Sequence, residues 1–190
     1  KGIGTSYMAI NAAKAIIEEK KINPLEIDLV IVATITPDMH ATATAAFVAS
    51  KIGATNAFGF DINAACSGFL YGMSTASAFI ESGRYKKILL IGADKMSSIV
   101  DYTDRNTCII FGDGAGAAIL TRETNMERGI LSSHIYSEGS YAEELSLIGP
   151  STNRWVPEII SANDPDDLSY YPYMNGQVVF KHAVVRFSEV

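Results

Sequence analysis

Two short runs in this chain are apolar at every position: Leu29 to Ala33 (LVIVA) and Ile88 to Ile91 (ILLI). A strand with one wet face alternates apolar with polar, whereas a strand that is apolar throughout needs cover on both faces. Helical patterns lie between such runs. Ala9, Ala12, Ala13, Ile16 and Ile17 recur at helical spacing after a start at Gly4-Thr5-Ser6, and Asn23-Pro24 stops that helix. A second helix is expected over Ala43 to Ile52, with Gly53 at its C-terminal end. A strand over Ala57 to Ile62 and a helix over Gly68 to Glu81, closed by Gly83, come next. Helix alternating with fully apolar strand predicts a layered α/β fold, its mostly parallel sheet flanked by helices.

The totals narrow the function classes. Of 190 residues, 48% are hydrophobic and 19% charged, as in a soluble globular protein. Every apolar run is far shorter than a membrane span. Lys1 to Ser6 leads into an amphipathic pattern and not an apolar core, so no cleavable signal is expected. The net charge of −6 disfavours nucleic acid as a partner. Two cysteines without a CxxC or Cys/His cluster argue against zinc and fit a reducing, cytoplasmic compartment.

Ligands in parallel sheets gather at the carboxyl ends of the strands. Cys66 stands just past one such end, in DINAACSGF, Asp61 to Phe69, where strand turns into helix. Unpaired N–H groups and the helix dipole favour negative charge there, and thiolate is the reactive form of cysteine. The small residues Ala64, Ala65, Ser67 and Gly68 leave room for a substrate carbonyl. On spacing alone a buried structural cysteine is an equal reading. The position past a strand end tilts the balance toward a nucleophile.

Other candidates are weaker. The glycines of GDGAG, Gly112 to Gly116, precede a strand, whereas phosphate loops precede a helix, so a tight structural turn is expected there. A further strand is expected over Ile130 to Tyr136, and a long loop over 137–173. Of His40, His134 and His182, none has a spacing that marks it as a partner of Cys66; His40, in a loop after a strand end, is the best placed. Asp101, Asp104 and Arg105 in DYTDR are either a solvated turn or a site where Arg105 meets phosphate or a planar base. Cys108 reads as a buried small hydrophobe. From Gln177 the run VVFKHAVVRF has helical spacing.

DINAACSGF, DYTDRNTCIIFGDGAGAAIL and NGQVVFKHAV together resemble the β-ketoacyl-acyl carrier protein synthase III enzymes of the thiolase superfamily. The likeness runs over nearly the whole chain. It implies the N-terminal half of an αβαβα architecture over 1–175, and the start of the C-terminal half at 176–190. It implies that the Cys66 thiolate takes an acyl group from acyl-CoA, with its own backbone N–H in the oxyanion hole. The acyl group is then joined to malonyl-acyl carrier protein with loss of CO2, which initiates fatty-acid synthesis. Arg105 matches the arginine that packs on the CoA adenine, and Met96 and Phe111 match acyl-pocket positions. The enzyme would be a homodimer, with no cofactor beyond the CoA thioester, no nucleic acid and no membrane partner.

The sequence also departs from the family. HATATA, His40 to Ala45, replaces a Phe-Pro-Ser run and holds no aromatic, which implies a differently shaped acyl pocket. Asn106 stands where some relatives carry glycine. The family's His-Gln-Ala-Asn and Asn-Thr-Ser motifs, which supply its decarboxylation pair, do not occur. A first strand, central in the family's sheet, would precede Lys1, so an apolar seam is expected, covered by further segments or another chain. The alternatives are an acyltransferase of secondary metabolism in the same superfamily, and a non-catalytic half.

Overall fold

The computed structural model describes residues 3–125, 127–149 and 170–189. The chain divides into two units, residues 1–95 with 113–135, and residues 96–112 with 136–190.

The first unit is built on a four-stranded sheet of order β2-β1-β3-β4. Its strands are β1 (Leu29–Ala33), β2 (Phe58–Ile62), β3 (Lys87–Asp94) and β4 (Gly114–Thr121). β1 runs parallel to both β2 and β3, and β4 runs antiparallel to β3. The two runs apolar at every position are therefore the two central strands, flanked on both sides by neighbours. Each is sealed on both faces. Val30, Val32, Leu89 and Ile91 pack with helices α1 (Thr5–Glu19) and α2 (Thr44–Ile52). Leu29, Ile31, Ile88 and Leu90 pack with α3 (Gly68–Glu81) on the other face. Alternate side chains of one strand thus serve opposite layers.

Glycine sets the closest approach. A Cβ on Gly72 of α3 would lie 2.4 Å from the Leu90 Cδ1 of β3. The expected helix stops hold, with Gly53 at φ 79° and Gly83 at φ 74°, both left-handed. The bounds of α2, β2 and α3 match the sequence expectations within a residue, whereas α1 ends at Glu19, short of Asn23-Pro24, and β3 runs on to Asp94.

Three expectations are corrected. The Gly112–Gly116 segment is not a tight turn: Gly114 opens β4, and Gly116 pairs with Gly92. Glycine alternating with alanine is a period of two, which is a strand's period. Ile130 to Tyr136 forms no strand, and Leu131 and Tyr136 are exposed. Strand preference depends on context, and the apolar residues of this run are too sparse to decide it. Finally, β1 and β3 are hydrogen-bonded neighbours, so the sheet has no central gap and no seam there.

In the second unit, β5 (Leu145–Ser146) pairs antiparallel with β6 (Tyr173–Met174). Helix α4 (Gly176–Phe187) follows, its first turn capped by the Asn175 side chain, which accepts from the Val178 N–H. Much of the expected loop, 150–169, lies outside the described residues. Met96 opens a short 3-10 turn at Met96–Ser98, and the Ile99 and Val100 N–H groups donate to its carbonyl at 3.0 Å.

Candidate active site

Cys66 is exposed, at the turn from β2 into α3. Residues Ala65–Ser67 make one 3-10 turn that runs straight into the helix. Ala65 takes φ 45°, a left-handed conformation that costs a residue with a Cβ. Strain of this kind clusters at functional sites because it aims a side chain where relaxed backbone would not. The turn is closed by the Ser67 N–H, which donates to the Ala64 carbonyl at 3.1 Å. Gly68, at the start of α3, is buried against Ala33 of β1, with 3.1 Å from a would-be Cβ to the Ala33 Cβ. The helix start is thereby seated on the sheet, and the thiol faces outward at its N-terminus.

The strand end leading to Cys66 is held on both sides. On one, the Thr34 N–H donates to the Ile62 carbonyl at 3.1 Å. On the other, the Asp61 carboxylate accepts from the Thr44 and Ala45 N–H groups at 2.7 and 2.8 Å. These are the open donors of the first turn of α2. A cavity of about 340 Å3 lies alongside, with Thr34, His40, Thr42, Asp61 and Asn63 in its wall. His40 is exposed there, and His134 is exposed on the irregular segment after β4. His182, half-buried on α4, packs its ring against Tyr141 at a tilt of 47°, with centroids 4.1 Å apart.

A second clamp joins β1 and β3. Asp94 Oδ1 accepts from Thr34 Oγ1 at 2.9 Å, from the Ile35 N–H at 2.8 Å and from Thr36 Oγ1 at 3.0 Å. Sequence reasoning missed both carboxylate clamps. The available signal was an aspartate inside or closing a strand, where aspartate is disfavoured and a half-buried charge needs partners.

Arg105, Met96 and Phe111 belong to the second unit, and Cys66 to the first. Arg105 is exposed and lines a cavity of about 600 Å3 with Asn106, Ile109, Ile110, Tyr173 and Met174. Met96 is buried and Phe111 half-buried. The loop bearing Arg105 is fixed by its neighbour: Asp104 accepts from the Asn106 N–H at 2.9 Å and from Thr107 Oγ1 at 2.7 Å. The Asn106 N–H, then the Thr107 hydroxyl, hold the Asp104 carboxyl below the ordinary aspartate range. Cys108, in the same loop, is half-buried. Among the described residues no group of His, Cys, Asp or Glu is arranged to hold a metal ion, and no helix is long and apolar enough to cross a membrane.

Three strands in parallel, one antiparallel, helices on both faces and a cysteine at the mouth of the sheet define a layered α/β protein of thiolase-like fold. The family model for 3-oxoacyl-acyl-carrier-protein synthase III matches residues 60–139. The chain is 48% identical to the β-ketoacyl-acyl-carrier-protein synthase III of Chlorobium phaeobacteroides, over 98% of this chain and 56% of that protein. It is 48% identical to a β-ketoacyl-acyl-carrier-protein synthase III of Bacteroides thetaiotaomicron, over 100% of this chain and 55% of that one. The crystal structure of 3-oxoacyl-acyl-carrier-protein synthase III from Aquifex aeolicus superposes with a TM-score of 0.85 at 40% identity, over 100% of this chain and 55% of that one. By family model, curated relatives and solved structure alike, this chain is similar to β-ketoacyl-acyl carrier protein synthase III proteins. It spans about half the length of the curated relatives it matches.

Proposed function

We propose that this chain carries the nucleophile of a condensing acyltransferase, and that Cys66 is that nucleophile. One observation carries the reading: an exposed thiol at the N-terminus of α3, presented by a left-handed residue at the carboxyl end of a parallel strand. The Cys66 thiolate attacks the carbonyl carbon of an acyl-CoA, and the tetrahedral oxyanion is met by the Cys66 N–H. Collapse breaks the bond from carbon to the CoA sulfur, and CoA leaves as its thiolate. One thioester replaces another, so the exchange is nearly balanced in energy. Malonyl-acyl carrier protein then loses CO2, and its carbanion attacks the acyl-Cys66 carbonyl. Cys66 is released, and the product is a β-ketoacyl thioester on the carrier, the starting unit of fatty-acid synthesis. The histidine and asparagine that relatives use for decarboxylation have no motif in this sequence.

Arg105 stacks on the CoA adenine in this reading, supported by a planar, permanently charged side chain at a cavity wall. Met96 and Phe111 line the acyl pocket. Residues 1–175 act as the nucleophile-bearing half, and 176–190 open the second. A homodimer is supported by β2, the outer strand of this sheet among the described residues, which carries an exposed Phe58. The enzyme works in the cytoplasm and needs no cofactor beyond its CoA thioester.

The test is mass spectrometry of the full-length protein after treatment with acetyl-CoA. A gain of one acetyl group on the Cys66 peptide, released by hydroxylamine and absent from Cys66→Ala, is expected. An adduct that persists in Cys66→Ala, or that resists hydroxylamine as an amide does, refutes the mechanism.

A further inference from the structure

We infer that Asp61 is a positioning residue for Cys66, acting through the first turn of α2; the inference rests on the role proposed for Cys66 above. Helix α2 starts at Thr44, and its N-cap residue, Ala43, has no side-chain acceptor to offer. The open N–H groups of its first turn are instead met from the neighbouring strand, by both oxygens of Asp61. A serine or aspartate at position 43 would cap the helix within one element. A cap supplied across elements does more. It ties α2 to the strand residue that leads, through Ile62 and Asn63, into the strained Ala65 and Cys66.

The contact is charge-assisted and two-pronged, so it fixes an angle as well as a distance. It is reinforced below, where Gly59 of β2 lies so close to α2 that a Cβ there would stand 3.0 Å from the Ala45 backbone carbon. Across the strand, the Thr34 N–H bond to the Ile62 carbonyl holds the opposite side. β2 is therefore pinned from two directions immediately before the nucleophile's turn. Release of one pin lets the strand end shift, and the thiol with it. A displacement of about 1 Å is enough to cost roughly 100-fold in a reaction that depends on alignment.

The experiment separates positioning from helix capping. Asp61→Asn keeps one acceptor oxygen but turns an amide N–H toward the other donor. Single-turnover acylation from acetyl-CoA is expected to slow by roughly 10- to 100-fold at saturation. The half-saturating concentration should change by less than about 2-fold, since no CoA contact is touched. Ala43→Asp is then added to Asp61→Asn, which recaps α2 from its own N-cap position. Thermal stability should return while the acylation rate stays low. If acylation returns together with stability, Asp61 is a helix cap and the inference is overturned. Unchanged acylation in Asp61→Asn overturns it as well, and leaves the Cys66 role standing. If the parent protein takes no acyl group, the Cys66 role fails and carries this inference with it.

Discussion

Removal of the Asp94 carboxylate should destabilise the first unit more than any other single truncation at the strand ends. One oxygen of Asp94 accepts three bonds, from Thr34 Oγ1, the Ile35 N–H and Thr36 Oγ1, at 2.8 to 3.0 Å. Thr36 also receives the Lys95 N–H at 2.8 Å, and its carbonyl accepts from Thr5 Oγ1 at 2.6 Å. The cluster therefore joins the ends of β1 and β3 to the start of α1. In Asp94→Ala the Ile35 N–H loses its acceptor at a part-buried site, which costs about 1–3 kcal/mol. The two hydroxyls lose an ionic acceptor at about 1 kcal/mol each, giving about 3–5 kcal/mol together. Asp94→Asn keeps an acceptor oxygen in place and gives up only the charge, so its cost should be about 1–2 kcal/mol. With a urea slope of about 3 kcal/mol per M, the midpoint should fall by about 1.3 M in Asp94→Ala and about 0.5 M in Asp94→Asn. Urea unfolding followed by circular dichroism reads both, provided the slope is unchanged. Equal shifts in the two variants, or a shift under about 0.3 M in Asp94→Ala, would refute the clamp.

Two further outcomes are expected elsewhere in the fold. Gly72→Ala should destabilise by about 1–3 kcal/mol, because the new methyl meets Leu90 Cδ1 at 2.4 Å. Leu90→Ala should remove part of that penalty in a double-mutant cycle, and simple additivity would show that the two do not collide. The Asp104 carboxyl should titrate below an unperturbed aspartate in an NMR pH titration, since the Asn106 N–H and then the Thr107 hydroxyl favour its charged form. Its folded value lies beneath its unfolded one, so the support it gives the Arg105 loop is complete above the unfolded value. That support is lost as the pH falls through the folded value. Thr107→Val should move the Asp104 titration upward, and no movement would show that the 2.7 Å bond does not form in solution.

The layers of this fold are legible because each rests on a local signal. LVIVA and ILLI announce central strands by having no polar side to give to water, and the structure places them as β1 and β3. Gly53 and Gly83 announce helix ends because a left-handed residue is cheapest without a Cβ. The segment at Gly112–Gly116 misled because glycine suits both a turn and a close-packed strand. Only the neighbour decides, and here Gly92 lies opposite Gly116. Ile130 to Tyr136 misled because strand preference is weak and set by context, so a few apolar residues do not decide whether a segment pairs.

The site divides along the same line. The place of Cys66 at a strand-to-helix turn could be read from its flanks, since strand, small residues and helix all lie within a few positions of it. What holds the cysteine's turn could not, because the contacts are long-range. Asp61 reaches back to Thr44 and Ala45, and Asp94 back to Thr34 and Thr36. In sequence each looks like an aspartate misplaced in a strand. The misplacement is itself the signal: a carboxylate costs several kcal/mol to desolvate, and a strand that carries one must be repaid by donors from another element. Both aspartates sit at the carboxyl ends of strands, where the open N–H groups of helix starts and crossing loops converge. The same convergence that invites a ligand there also supplies the donors that fix the backbone around it.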